Sequence, residues 1–286
     1  DLRGGEVKHR ISYFDIVGRA TTGLKDKAVG EAITRLSATY RAGADAFDYS
    51  SAEGRAAYLW HILPAHVCDL ARLFADTGIL HDRDELQVVG LGSGPGTAVL
   101  ALLEAISAEK ARGGLESFTR LGAVRLEQAG SWDHAFRSLL PPLLEQVGQR
   151  APGLGTQWTV DAPKKGVVCD LTQPPLPKKA RAALGDADLV VAANLLTEVR
   201  PRGTDSLPPG LEQTTREVLS ALKGRTDILL GDRAGAPGAK ARMAAFAELA
   251  REEFPTAEAT GPRERTTRCG CALTRRGKAI YRHVML

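Results

Sequence analysis

Two kinds of hydrophobic patterning divide the chain near residue 85: helical periodicity alone before it, and short apolar runs alternating with helical stretches after it. In Lys27–Arg41, Val29, Ile33, Leu36 and Tyr40 recur at helical spacing. Ser50 or Ser51 can cap a longer helix, with Glu53 in its first turn favouring the helix dipole. That helix carries Ala56–Leu63; Pro64 kinks it or divides it from Ala65–Thr77, and Gly78 is a natural stop. Residues 1–84 are therefore expected to form a helical N-terminal cap.

From residue 85 to 286 the pattern changes. Leu86–Leu91 is a β-branched, apolar run that predicts a buried parallel strand. Gly92, Gly94 and Gly96 then make a turn without Cβ atoms, and the Ala/Leu-rich stretch after Thr97 is a strong helix former. Beyond the Gly113-Gly114 break, Ala123–Glu127 predicts a second strand ending in an acid. Ser131 opens a helix that continues through Ala135–Arg150, with Pro141-Pro142 interrupting it or starting another. Pro152–Pro163 is loop with a possible short strand at Gln157–Val160, and Gly166–Leu171 predicts the third strand. Ala187–Val199 holds the fourth strand and delivers Asn194 to its carboxyl edge. Leu211–Lys223 is a helix closed by Gly224, followed by a fifth strand, Thr226–Gly231, with Asp232 and Arg233 at its end. A loop (Ala234–Ala239), a helix (Lys240–Glu253) and two last strands, near Arg268–Leu273 and Ala279–Val284, complete the count as an antiparallel hairpin. The expectation is an α/β, doubly wound, mostly parallel, seven-stranded Rossmann-like sheet over residues 85–286.

Composition adds little to that picture until it is read locally. At 286 residues, 43% hydrophobic and 25% charged, the chain has ordinary globular composition. No run approaches the roughly eighteen apolar residues of a membrane span, so no membrane partner is expected. The first residue is Asp, which predicts a trimmed chain and leaves room for a lost targeting segment. Cys68, Cys169, Cys269 and Cys271 include one C-x-C pair and no C-x-x-C spacing. They read as reduced thiols without a metal, in the cytoplasm or an organelle matrix. The net charge of +4 is mild, but Arg263, Arg265, Arg268, Arg275, Arg276, Lys278 and Arg282 face a single acid, Glu264, in the tail. Such a patch suits a phosphate-bearing partner, and a solvated edge hairpin would look the same.

The chemistry is concentrated in the glycine turn. A dinucleotide fingerprint would be G-x-G-x-x-G with a pyrophosphate on the helix N-terminus. Reading from Gly90, this chain has G-x-G-x-G-x-G, and Pro95 removes one of the N–H groups that could cradle a phosphate. In a doubly wound sheet the ribose of a nucleoside lies at the carboxyl end of the second strand, where Glu127 can accept from both hydroxyls. Trp132 can lie against the base, and Asn194 reaches the topological switch point beside the glycine loop.

The Gly92-Ser93-Gly94-Pro95-Gly96-Thr97 turn resembles motif I of the class I S-adenosylmethionine (SAM) methyltransferases. The resemblance implies SAM as cofactor, a loop curled under its methionine part, and a seven-stranded methyltransferase sheet. It departs at Gly90, where the family usually has Asp or Glu. It places cofactor contacts at Gly90, Gly92, Ser93, Gly94, Gly96, Thr97, Glu127, Gln128, Trp132 and Asn194, with Asp170 and Leu171 beside the adenine amino group. A narrower resemblance lies in Ala57-Tyr-Leu-Trp-His-Ile-Leu-Pro-Ala-His66 followed by the glycine loop, with Asn194–Glu198 and Gly231–Gly238 further on. These stretches are similar to the methyltransferase-like proteins of the small ribosomal subunit, the mitochondrial assembly factors and their bacterial relatives. That likeness implies a methyl acceptor in RNA or a ribosome-associated target; it departs in lacking the family's cysteine-rich metal or cluster site. A small-molecule acceptor, or a SAM-binding assembly factor with little turnover, are the alternatives. If the acceptor must lose a proton, His61, His66, Glu198 and Asp232 are the nearest bases by topology, with Asn194 at the reacting centre.

Overall fold

The computed structural model describes residues 11–42, 47–198, 206–233, 238–261, 263–267 and 277–286. Its first four elements are helices: α1 (Tyr13–Ala20), α2 (Asp26–Ala42), α3 (Ala52–His61) and α4 (Leu63–Thr77). The Ser51 hydroxyl accepts the Gly54 N–H at 3.0 Å and starts α3. Pro64 falls in the first turn of α4, where its missing N–H costs nothing, and left-handed Gly78 (φ 68°) ends the helix. Pro64 thus begins a helix and does not kink one. The sequence pattern did not predict α1, which is only eight residues long and buries Tyr13, Ile16 and Val17.

The sheet is built from β1 (Glu85–Leu91), β2 (Arg120–Glu127), β3 (Thr159–Asp161), β4 (Val167–Val168), β5 (Leu189–Ala193), β6 (Asp227–Arg233), β7 (Glu258–Ala259), β8 (Arg263–Thr267) and β9 (Gly277–Met285). The order is β3-β2-β1-β5-β6-β9-β7, with β4 also on β2 and β8 also on β9. These nine pieces fill seven positions, because β3 and β4 share one edge of the sheet and β7 and β8 share the other. The first six are parallel where they pair, and β9 runs antiparallel to β6. This is the expected doubly wound α/β sheet of Rossmann-like kind, with the order of strand addition switching sides between β1 and β5.

Two layers cover it. On one face α5 (Thr97–Lys110) and α6 (Trp132–Arg150) pack together with the four N-terminal helices in one hydrophobic cluster. α4 lies along α5, and α1 along α6. The other face carries α7 (Lys178–Gly185), α9 (Pro209–Ala221) and α10 (Ala239–Glu253), with the short α8 (Leu195–Glu198) between β5 and α9. The cap helices therefore share a core with the sheet.

Three sequence expectations change. α6 runs unbroken through Pro141 and Pro142, since burial of Leu139 and Leu143 outweighs the backbone bonds the prolines remove. The third strand shrinks to Val167–Val168, pairing Leu126 and Glu127, while Thr159–Asp161 pairs the start of β2. Of the terminal pair, β9 matches the expected last strand; the other expected strand, near Arg268–Leu273, lies outside the described residues, and β8 precedes it.

Candidate functional site

The glycine turn follows β1 with Gly92, Gly94 and Gly96 all left-handed, at φ 58°, 49° and 86°. Each has a different reason to lack a side chain. A Cβ on Gly92 would come within 2.7 Å of Leu195 Cδ1, and one on Gly96 would run into the Phe136 ring. A Cβ on Gly94 would meet no protein atom within 4 Å. Gly90 is closed for another reason: its Cβ would collide with Ser93 Oγ, which donates to the Gly90 carbonyl at 2.7 Å. The Ser93 hydroxyl stands where a side chain at position 90 would begin, so an acid there would displace that hydroxyl from its bond.

Glu127, at the carboxyl end of β2, reaches the same loop. Its carboxylate accepts the Gly94 N–H at 2.7 Å and the Ala129 N–H at 3.1 Å. Burial pushes its pKa up, against those backbone hydrogen bonds and the nearby Arg125, which lower it. Glu127 is thus both a wall of the site and a strut for the glycine turn.

Loop and strand ends bound a cavity of about 520 Å³. Its floor is the glycine turn with Thr97, and one side is Glu127, Gln128 and Trp132. Beside them come Cys169, Asp170, Leu171 and Thr172, and Ala193 and Leu195 after β5 also line it. Gln128 Nε2 donates to Asp170 Oδ2 at 2.9 Å, while Asp170 Oδ1 takes the Thr172 N–H and hydroxyl at 2.8 and 2.7 Å. Burial, helped by Asp170, pushes the Cys169 thiol up to about 11, so it stays protonated at neutral pH.

The lip comes from the cap. Phe47, Asp48, Tyr49, Ser50 and Tyr58 line the cavity, and the Tyr49, Tyr58 and Trp132 rings touch one another at centroid distances of 5.2–5.7 Å. The stretch 47–50 was missed from sequence. Its signal was two aromatic residues flanking an acid just before a capping serine.

The expected bases are scattered. Asn194 is left-handed (φ 59°), with its backbone N–H on the Gly231 carbonyl at 2.7 Å. Its side-chain nitrogen lies 3.0 Å from His66 Nδ1, and the Tyr58 hydroxyl lies 3.3 Å from the same atom. With the amide donating, Nδ1 is the acceptor and the ring proton sits on Nε2. His66, Asn194 and Tyr58 are therefore brought together beside the cavity, and Tyr58 is the member that lines it. His61 is elsewhere, bonded to Ser37 Oγ of α2 at 3.0 Å. Asp232 is buried in β6 opposite Ile280, and neither it nor His61 is among the lining residues. Glu198 ends α8, and its side chain, like Cys269 and Cys271, lies outside the described residues. Among the described residues no group of three or more His, Cys, Asp or Glu is placed to hold a metal, and no helix is long and apolar enough to cross a membrane.

No protein-family model matches the chain, and no curated protein matches it. Solved structures do. One is a precorrin-6y C5,15-methyltransferase from Geobacter metallireducens GS-15, at 14% identity and TM-score 0.39, covering 75% of this chain and 89% of that one. Another is the mitomycin 7-O-methyltransferase MmcR, at 15% identity and TM-score 0.44, covering 89% of this chain and 67% of that one. A third is an arsenic(III) S-adenosylmethionine methyltransferase from Chlamydomonas reinhardtii, at 13% identity and TM-score 0.39, covering 70% and 63%.

Proposed function

We propose that this chain is a SAM-dependent methyltransferase whose cofactor occupies the cavity above the glycine turn. The observation that carries this reading is the charge of the lining. Asp48, Glu127 and Asp170 line the cavity, with no Lys, Arg or His among its described residues. A dinucleotide would bring a pyrophosphate to that wall and meet like charge, with Pro95 offering no N–H. A nucleoside bearing a sulfonium and an ammonium is attracted to the same wall.

The residues fit that group. Glu127 would take the ribose hydroxyls, as an acid at the end of the second strand does in doubly wound sheets. The open side of Gly94 leaves room for the methionine part, and Gln128 with Asp170 stands where a base would end. When bound, the cofactor supplies an electrophilic methyl carbon. The task left to the chain is to align an acceptor and keep water out. Tyr49, Tyr58 and Trp132 close the lip with apolar surface. His66, its Nδ1 held as an acceptor by Asn194, can take a proton that reaches it through the Tyr58 hydroxyl.

Calorimetry tests this directly. SAM and S-adenosylhomocysteine should bind, and NAD should not. Gly94→Val carries the left-handed strain of any side chain at that position but meets no protein atom, so it should remain folded yet bind S-adenosylhomocysteine far more weakly. Equal affinity in the folded variant would place the cofactor elsewhere.

For the acceptor we propose RNA or a ribosome-associated target, with a small molecule or an assembly role as the alternatives. Arg263 at the start of β8 is exposed and supports this reading. Arg282 does not, because only 9% of it is exposed; Arg268, Arg275 and Arg276 lie outside the described residues. If the tail tracks a phosphate backbone, replacing Arg275 and Arg276 by Ala should weaken binding to all RNA sequences alike. It should also flatten the log-affinity against log-salt slope by about one per lost contact. A parent protein with no salt-sensitive RNA binding favours the small-molecule acceptor.

A further inference from the structure

Two of the three carboxylates around the cavity are already engaged by the protein. Glu127 accepts backbone N–H groups from Gly94 and Ala129, and Asp170 accepts from Thr172 and Gln128. Asp48 is different. Among the described residues its bonds come from Ser50 alone, the N–H on Oδ1 at 2.7 Å and the side-chain hydroxyl, and the group stands exposed at the lip. Hydrogen bonds from Ser50 hold it below the usual carboxylate range, so it is ionised at neutral pH. Arg55 is near, yet its Nη1 is bonded to the Tyr49 and Ser50 carbonyls, at 2.9 and 2.6 Å.

The lip that carries Asp48 is fixed in place. The Tyr49 ring is packed against Tyr58 and Trp132, and the Asp48 carbonyl lies 2.6 Å from where a Gly54 Cβ would stand. Position 90, which lines the same cavity, is glycine, and Ser93 Oγ occupies the space where a side chain there would start. The end of β1 thus supplies no anion to the cavity, whereas the cap brings Asp48 to its lip.

We propose that Asp48 binds the α-ammonium of the cofactor's methionine part, supplying from the cap a contact that glycine at position 90 does not make. The assignment rests on the cofactor reading above. An ammonium offers N–H donors that match the lone pairs an exposed carboxylate keeps, whereas a sulfonium offers charge without a hydrogen-bond donor.

Three ligands separate the possibilities by calorimetry, without any acceptor. SAM has sulfonium and ammonium, S-adenosylhomocysteine only the ammonium, and 5′-methylthioadenosine neither. Asp48→Asn is the variant, because an asparagine oxygen can still take the Ser50 N–H and keep the turn. SAM and S-adenosylhomocysteine should both lose about two- to fivefold in affinity, as expected for an exposed ion pair, with 5′-methylthioadenosine unchanged. Loss for SAM alone would assign Asp48 to the sulfonium and overturn the proposal. Equal loss for all three would make it a support of the lip, and no loss would make it idle; either outcome also overturns it. A parent protein that binds none of the three would instead sink the cofactor reading itself.

Discussion

Gly96→Ala is expected to destabilise the protein by about 2–5 kcal/mol, about twice the cost of the same change at Gly94. Two costs combine. A non-glycine residue in the left-handed region costs about 1–2 kcal/mol, and Gly96 sits there at φ 86° as the N-cap of α5. Overpacking of a closed core costs about 1–3 kcal/mol more. The new Cβ would fall 2.7 Å from Phe136 Cε2 and 3.2 Å from Arg125 Cδ. Phe136 cannot swing aside, since it is buried and the Arg125 guanidinium lies 4.0 Å from its ring centroid. Arg125 in turn is tied to Asp133 Oδ1 at 2.7 Å and to the Lys164 carbonyl at 3.2 Å. Gly94→Ala bears only the first cost, about 1–2 kcal/mol, because nothing stands within 4 Å of its Cβ. Urea unfolding of both variants compares them. Equal midpoints would mean that the Phe136 ring moves freely beneath the turn.

That contrast also marks how far the sequence could be read. Three glycines at every second position announce a turn with backbone close to something, and a strand before and helix after give it a place in a doubly wound sheet. They do not say what each glycine avoids. Gly92 clears Leu195, more than a hundred residues away, and Gly96 clears Phe136 of the next helix. Such reasons arise only when distant segments meet. The same holds for Asp48, which no local pattern connects to Glu127; the cap must fold over α5 before the two share a cavity. Where local signals decide, the reading was sound: capping by Ser51, the stop at Gly78 and the acid at the end of β2 are all present. Where tertiary burial competes with a local breaker, it failed. Pro141 and Pro142 look like a helix break in one dimension, and Leu139 and Leu143 carry the helix through in three.

Glu127→Gln should lower the affinity for S-adenosylhomocysteine at neutral pH by about ten- to a hundredfold, or about 1.5–3 kcal/mol, and should abolish a pH dependence the parent shows. The carboxylate is half-buried and its pKa is raised by that burial. In the free protein a raised value means that the folded state holds the proton more tightly than the unfolded chain does. This group therefore adds stability as pH falls from its folded value towards its unfolded one. Cofactor binding has the opposite sign, because ribose hydroxyls donate to the ionised form and binding must release the proton. Affinity in the parent should accordingly fall with pH through the raised value, above the ordinary carboxylate range, while the free protein gains stability from the same group. Glutamine cannot titrate, so the variant's affinity should be flat across that window. It also keeps one acceptor where two N–H groups, of Gly94 and Ala129, now bond, which loosens the glycine turn. Calorimetry from about pH 7.5 down to about pH 5, with both proteins, reads affinity and its slope together. An unchanged dissociation constant in Glu127→Gln, with the same pH slope as the parent, would move the ribose away from β2.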